Sequence, residues 1–339
     1  MGTNEKATKV KKSKAQIKKE KAINATMHQT SKKTVQAMNI VAVHPEESIF
    51  QTTPENGKSA FIKIFSIKGL DNSEMRKEML VHSLCDYCAS RRLRISSFQY
   101  AGNNTPIFFL SVYFYGTSYA DIYDEVREFD ELLETILKQN VRITIKPCNI
   151  RDIFMFIFMN YNGQIKKISQ KSVLRKNADW GKEYLGYISV KDNGFQLEEV
   201  GKYGCSYMAV QYPDKIERIF EKIKQTGCAI LSSVDIQKVP QKYLSAYKEY
   251  VEQIYNGTVE TEKDKLLNTT FLFSVFVNSE KEMKMLNHFI KEHMENNNLI
   301  VTNCTGVEGK VLDSIATMGL FDFHCMRNID ESLIPNFLI

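Results

Sequence analysis

Phe61-Ile-Lys-Ile-Phe-Ser-Ile67 alternates apolar and polar side chains in a β-rich composition and predicts a strand. Leu70-Asp-Asn-Ser73 then offers a helix cap, with Glu74 and Glu78 near the positive end of the helix dipole, so a helix is expected to about Arg91. Leu93–Tyr100 reads as a second strand, Ala101-Gly-Asn-Asn104 as a turn, and Ile107–Tyr115 as a third strand apolar enough to be buried on both faces. Ser118 caps a second helix reaching about Gln139, with Ile122, Val126, Phe129, Leu132, Leu133, Ile136 and Leu137 at helical spacing. Val141–Ile145 is a fourth strand. The order β-α-β-β-α-β is that of a split βαβ, ferredoxin-like unit.

The second half repeats the order without repeating the letters. Cys205–Gln211 is a strand, and Pro213 opens a helix with Ile216, Ile219, Phe220 and Ile223 on one face and Gly227 at its stop. Ala229–Ile236 is a strand, Gln241–Tyr255 a helical excursion and Asn256–Lys265 a charged loop. Phe271–Val277 is a strand, Glu280–Glu295 a helix, Leu299–Asn303 a strand, and 307–317 a further helix. Tyr187-Ile-Ser-Val190 and Phe195–Val200 flank Asp192-Asn193-Gly194, a strong hairpin signal. The expected class is therefore α+β: two ferredoxin-like βαββαβ units with antiparallel sheets, joined by a middle helical and hairpin segment. The expected boundaries are a basic flexible tail over 1–33, a first unit over 34–148, a connecting helix and hairpin over 149–203, a second unit over 204–325 with an insertion at 239–268, and a C-terminal tail over 326–339.

The charge agrees with a separate tail. The 339 residues carry +5 overall, but residues 1–33 hold ten lysines against two acids, or +8, which leaves 35 basic and 38 acidic residues, or −3, for the body. A body of that balance is not built to track nucleic-acid phosphate. Lys11, Lys12, Lys18 and Lys19 are the tail residues expected to act electrostatically. Seven scattered cysteines and a polar, lysine-rich start predict reduced thiols in a cytoplasmic protein. The most apolar run, Ile153-Phe-Met-Phe-Ile-Phe-Met159, is far shorter than the ~20 residues needed to span a bilayer. It predicts a buried helix or strand, or an interfacial contact.

Motifs for chemistry are weak. Gly306-Val-Glu-Gly-Lys-Val311 departs from a P-loop: its first glycine is misplaced, Val311 replaces the hydroxyl residue, and Glu308 sets a carboxylate beside the phosphate. Gly57-Lys-Ser59 has Thr52 at the first-glycine position, and no G-x-G-x-x-G follows a strand. Cys85-Asp-Tyr-Cys88 has redox spacing but falls in mid-helix, so it reads as two small residues on a buried face; His82 nearby leaves a zinc set incomplete. His288 and His293 are five apart and face different ways. Asp121, Asp124, Glu125 and Glu128 suit a helix start. Phe108, Phe109, Tyr113, Phe114 and Tyr115 could stack bases on an open sheet, but their continuity suits a buried strand better. No enzyme activity, cofactor, metal or small-molecule substrate is expected.

Several strings resemble the N-terminal region of the TrbE/CagE class, the VirB-cluster ATPases of conjugative type IV secretion. In the second half these are Gly204-Cys-Ser-Tyr-Met-Ala-Val-Gln-Tyr-Pro213, Ile216-Glu-Arg-Ile-Phe220 and Gly227-Cys-Ala-Ile-Leu-Ser-Ser-Val-Asp-Ile-Gln-Lys-Val-Pro240. In the first half, Lys33-Thr-Val-Gln-Ala-Met-Asn-Ile40, Ser48-Ile-Phe50 and Ala60–Leu70 are similar to the Gram-positive branch. The resemblance covers most of residues 33–325. In that family the region precedes a RecA-like motor, and this chain stops at Pro335-Asn-Phe-Leu-Ile339, where the motor would begin, so no catalytic residue carries over. The resemblance implies a non-catalytic assembly module at the inner face of a conjugative channel, with channel proteins or a separate motor subunit as partners. The alternatives are one piece of a split or truncated conjugation ATPase whose motor is on another chain, and a nucleic-acid module acting through the lysine tail, the latter disfavoured. Phe154, Phe156 and Phe158 are the expected partner contacts, and an anionic membrane surface is the expected contact of the lysines.

Overall fold

The computed structural model describes residues 12–70, 73–88, 90–103, 105–139, 142–216, 218–239, 266–321 and 326–339. It is a mixed α+β structure built on a large antiparallel sheet. In the first half the hairpin β2 (Ile40–His44) and β3 (Ile49–Thr52) leads into β4 (Ser59–Lys68), α3 (Glu74–Cys88), β5 (Arg92–Gln99), β6 (Ile107–Gly116), α4 (Tyr119–Gln139), β7 (Thr144–Pro147) and α5 (Ile150–Asn162). In the second, the hairpin β8 (Ile188–Lys191) and β9 (Gly194–Leu197) leads into β10 (Lys202–Gln211), α8 (Ile219–Lys224), β11 (Ala229–Lys238), β13 (Phe271–Val277), α9 (Glu280–Asn296), β14 (Ile300–Asn303) and α10 (Glu308–Ala316). Neighbouring strands run β7-β4-β6-β5 in the first half and β14-β10-β13-β11 in the second. In each half the hairpin pairs with the same edge that receives the last strand: β3 beside β7 on β4, and β9 beside β14 on β10.

The halves join edge to edge. β5 lies antiparallel to β11, from Gln99 opposite Ile230 to Leu93 opposite Ile236. Because side chains alternate along a strand, each strand feeds two cores. Leu93 and Ile95 enter the core beneath α3, α4, α8 and α9, whereas Phe98 and Phe109 enter the opposite one, beneath α5, α10 and the short helices α6 (Gln170–Val173) and α7 (Trp180–Tyr184). The sheet is thus the middle of three layers. β6 is covered on both faces as its sequence predicts, with Phe108, Phe109, Tyr113 and Phe114 all buried and Tyr115 half exposed.

Several boundaries move. The helix expected from Pro213 is only the six residues of α8, because Arg218 before it holds φ 47, a left-handed conformation that breaks helical continuity. The fourth strand lies at Thr144–Pro147 rather than Val141–Ile145; β7 pairs with β4 on one side only, which tolerates a proline. The excursion and loop expected over 241–265 lie outside the described residues. Part of the flexible tail is ordered: α1 (Lys14–Asn24) is capped by Ser13 and packs on α4, and the Asn24 side chain accepts the Ala120 amide of α4 at 2.8 Å. Further on, β1 (His28–Gln29) pairs with β2, and α2 (Lys32–Met38) follows. The 326–339 segment is likewise no tail. β15 (Arg327–Asp330) pairs with β12 (Leu266–Thr269), and a 3₁₀ turn over Glu331–Phe337 buries Leu333, Ile334 and Phe337 between α3 and β11, with Ile339 also buried.

The seam carries a buried ion cluster. Arg94 lies opposite Asp235, and its Nε and Nη2 reach the carboxylate at 2.6 and 3.1 Å; Arg92 Nη2 reaches it at 2.7 Å. The Tyr113 ring lies within 4.8 Å of the Arg92 guanidinium carbon and 5.9 Å of that of Arg94. Burial alone would raise the Asp235 carboxyl, but the two guanidiniums overcome it and hold it below its ordinary value. Removing the carboxylate leaves two interior cations without their shared anion. Asp235→Ala should lower stability by about 3–5 kcal/mol in urea denaturation; a loss below about 1 kcal/mol would show the cluster to be solvated.

Candidate functional site

The residues expected to meet a partner are divided by the fold. Asn149 caps α5 by accepting the Arg151 amide, and Gly163, at φ 61, ends it. That helix turns Phe154 and Phe156 inward. Phe154 packs on Trp180 and Tyr184 at centroid distances of 4.6 and 4.7 Å, and Phe156 on Phe98 at 4.4 Å. Both rings are core, so a partner contact through them is corrected; Phe158 is partly exposed, with Lys166 Nζ 5.0 Å from its ring centre. Among the lysines, Lys11 lies outside the described residues, Lys12 pairs with Glu20 at 2.8 Å, and Lys18 and Lys19 are exposed on α1.

The weak motifs acquire specific roles. Glu308 is buried, and its Oε2 accepts the Gly306 amide at 2.7 Å, so the protein's own carboxylate occupies the donor that a phosphate would need in a P-loop. Cys85 is buried against the helical core. His293 Nε2 lies 2.9 Å from the Ile219 carbonyl, tying α9 to α8, whereas His288 is exposed. Asp121 accepts the Thr117 hydroxyl and the Thr117 and Ser118 amides ahead of α4; these bonds, the Thr117 hydroxyl first, hold its carboxyl below the ordinary value.

Three arrangements were not anticipated. On α3, His82 lies between Asp86, at 3.2 Å, and Glu331 of the 3₁₀ turn, at 2.7 Å. These groups are close enough for a metal ion, but the imidazole already spends a nitrogen on each carboxylate. Between α3 and α8 a cleft gathers Lys77, Lys224, Arg218, Glu74 and Glu221. Its signal in the sequence is a lysine on each apolar stripe: Lys77 four residues before Val81, and Lys224 four after Phe220. Across the opposite layer, the Tyr161 hydroxyl of α5 donates to Asp313 Oδ1 of α10, linking the last helices of the two halves.

No helix among the described residues is long and apolar enough to cross a membrane. No family model matches the chain, and no curated protein matches it. Among solved structures, aminoacylhistidine dipeptidase from Vibrio alginolyticus is similar at 9% identity and a TM-score of 0.21, over 75% of this chain and 41% of that one. A likeness that low carries no argument about fold or activity.

Asp313 yields a signed prediction. Burial pushes its carboxyl up to about 6, only partly offset by the Tyr161 hydrogen bond. From about pH 4 to 6 the folded state therefore keeps a proton that the unfolded chain releases, and this group's contribution to stability is lost as pH rises through 6. Asp313→Asn keeps an acceptor for Tyr161 without the buried charge. It should be more stable than the parent by about 1–2 kcal/mol at pH 8 and equal to it near pH 4 in urea denaturation; the opposite pH trend would refute the assignment.

Proposed function

We propose that the chain is a non-catalytic interaction and assembly module of a conjugative type IV secretion apparatus, similar to the N-terminal region of its ATPase and acting on the cytoplasmic side of the membrane. The observation that carries the reading is the duplicated strand order. β7-β4-β6-β5 and β14-β10-β13-β11 each follow the 4-1-3-2 arrangement of a βαββαβ unit, which supports two ferredoxin-like units in the stretch that holds the matching strings.

The surface suits docking. Among the described residues β8 ends the strand order with one side unpaired, and Tyr187 and Val190 there are 65% and 60% exposed. An edge of this kind can accept a strand from a channel or motor subunit, with main-chain bonds for affinity and side-chain contacts for choice. The exposed Lys14, Lys18, Lys19 and Lys21 of α1 supply a separate cationic face for anionic headgroups.

The test is co-purification of the full chain from its native host. Channel or motor subunits of the conjugation machinery should be recovered, and Val190→Lys should reduce that recovery several-fold without changing the thermal midpoint. Recovery of none of these subunits would overturn the assignment, and steady ATP turnover by the purified chain would overturn its non-catalytic part.

A further inference from the structure

The cleft between α3 and α8 has a volume of about 300 Å³, and the C-terminal segment contributes Asn336 and Leu338 to its wall. Lys77 enters from α3 with its side chain only 3% exposed, donates to the Leu338 carbonyl at 3.2 Å, and reaches Glu74 only at 3.4 Å. Arg218 meets Glu221 at the same long distance of 3.4 Å. Lys224 is half-buried, and its ammonium has no hydrogen-bond or ion-pair partner among the described residues. Charge-assisted bonds normally close to about 2.7–2.9 Å, so the two carboxylates leave donor capacity unspent on all three cations. Arg218 also holds the left-handed backbone conformation at the lip of the cleft, a strain that clusters at binding sites.

We propose that this cleft binds a small soluble phosphorylated anion, its phosphoryl oxygens taken by Lys224 and Lys77 with Arg218 at the lip. The site is independent of the assembly role and of the resemblance behind it. Three cations outnumber the two carboxylates of the recess, Glu74 and Glu221, which disfavours a metal ion, whereas a phosphoryl group brings several acceptors and can meet the two ammoniums on the side away from the glutamates' long contacts. Burial lowers the proton affinity of both lysines, and the charge of Lys77 lowers that of Lys224 further. A bound anion would offset the Lys77 charge felt at Lys224, so the cleft gains most from an anion that touches both.

The experiment is a thermal-shift and calorimetric titration of the full chain with inorganic pyrophosphate, against sodium chloride at matched ionic strength. A saturable rise of about 2 °C at tenfold excess over Kd is expected with pyrophosphate and not with chloride. Lys224→Met, at a half-exposed position, should weaken binding about tenfold or more while keeping the parent midpoint without ligand, and Arg218→Gln should weaken it less. No saturable rise, an equal rise with chloride, or undiminished binding by both variants would overturn the proposal.

Discussion

The pairing of β5 with β11 makes one sheet out of two, and every other layer is laid over that seam. On one face Arg94 and Arg92 close on Asp235. On the other, the Ser97 and Ser232 hydroxyls meet at 2.6 Å, Ser97 accepts the Ile339 amide, and Ser232 donates to the Phe337 carbonyl. A purely apolar seam would tolerate a slip of two residues, since such a slip keeps every side chain on its own face. Charged partners at one rung do not tolerate it: Arg94 opposite anything but Asp235 is a buried cation without its anion. The desolvation cost of the cluster is thus tied to a unique register. The same cluster shapes the chain above it. Gly319, at φ 85, passes so close that a Cβ there would lie 2.3 Å from the Tyr113 hydroxyl.

Most of the elements were legible because period and punctuation agree. Phe61–Ile67 alternates, α4 carries its apolar residues at helical spacing, and Asp192-Asn193 turns the β8–β9 hairpin with Asn193 at φ 65. What escaped the sequence is what depends on neighbours distant in the chain. Arg92-Leu-Arg-Ile95 looks like a strand with one wet face, yet the arginines point inward because α10 and the turn after it cover them. The segment after 326 is short and follows no long apolar period, so nothing local announces that it fills the space between α3 and α8. The hairpins β2–β3 and β8–β9, and the terminal helices α5 and α10, extend the repeat to both sides of the βαββαβ order. Their equivalence shows only in strand partners, not in letters.

The candidate site was hidden for a related reason. A cluster of phenylalanines in one short run draws attention as a contact surface, but α5 is packed on two sides, Phe154 against α7 and Phe156 against β5 and β6, and only Phe158, one turn beyond Phe154, lies at the margin. The lysines that gather at the cleft are single residues 147 positions apart, each on an otherwise apolar stripe. A charge on a buried face is the more informative signal, because it requires a compensating feature elsewhere in the fold.

The seam also limits how a partner can attach. Isolated βαββαβ sheets expose the outer edge of their second strand, which here would be β5 or β11. Those two edges are consumed by each other, and the charges they carry are satisfied only while they remain so. Separating the halves would expose Arg92 and Arg94 on one piece and Asp235 on the other, besides two unpaired rows of backbone groups. Among the described residues, the edges left for strand addition are those of outer strands away from the β5–β11 pairing, β1 and β7 in the first half and β8 and β14 in the second. A partner bound at such an edge lies away from the seam, whereas the cleft between α3 of the first half and α8 of the second lies across it, so the two sites do not compete for the same surface.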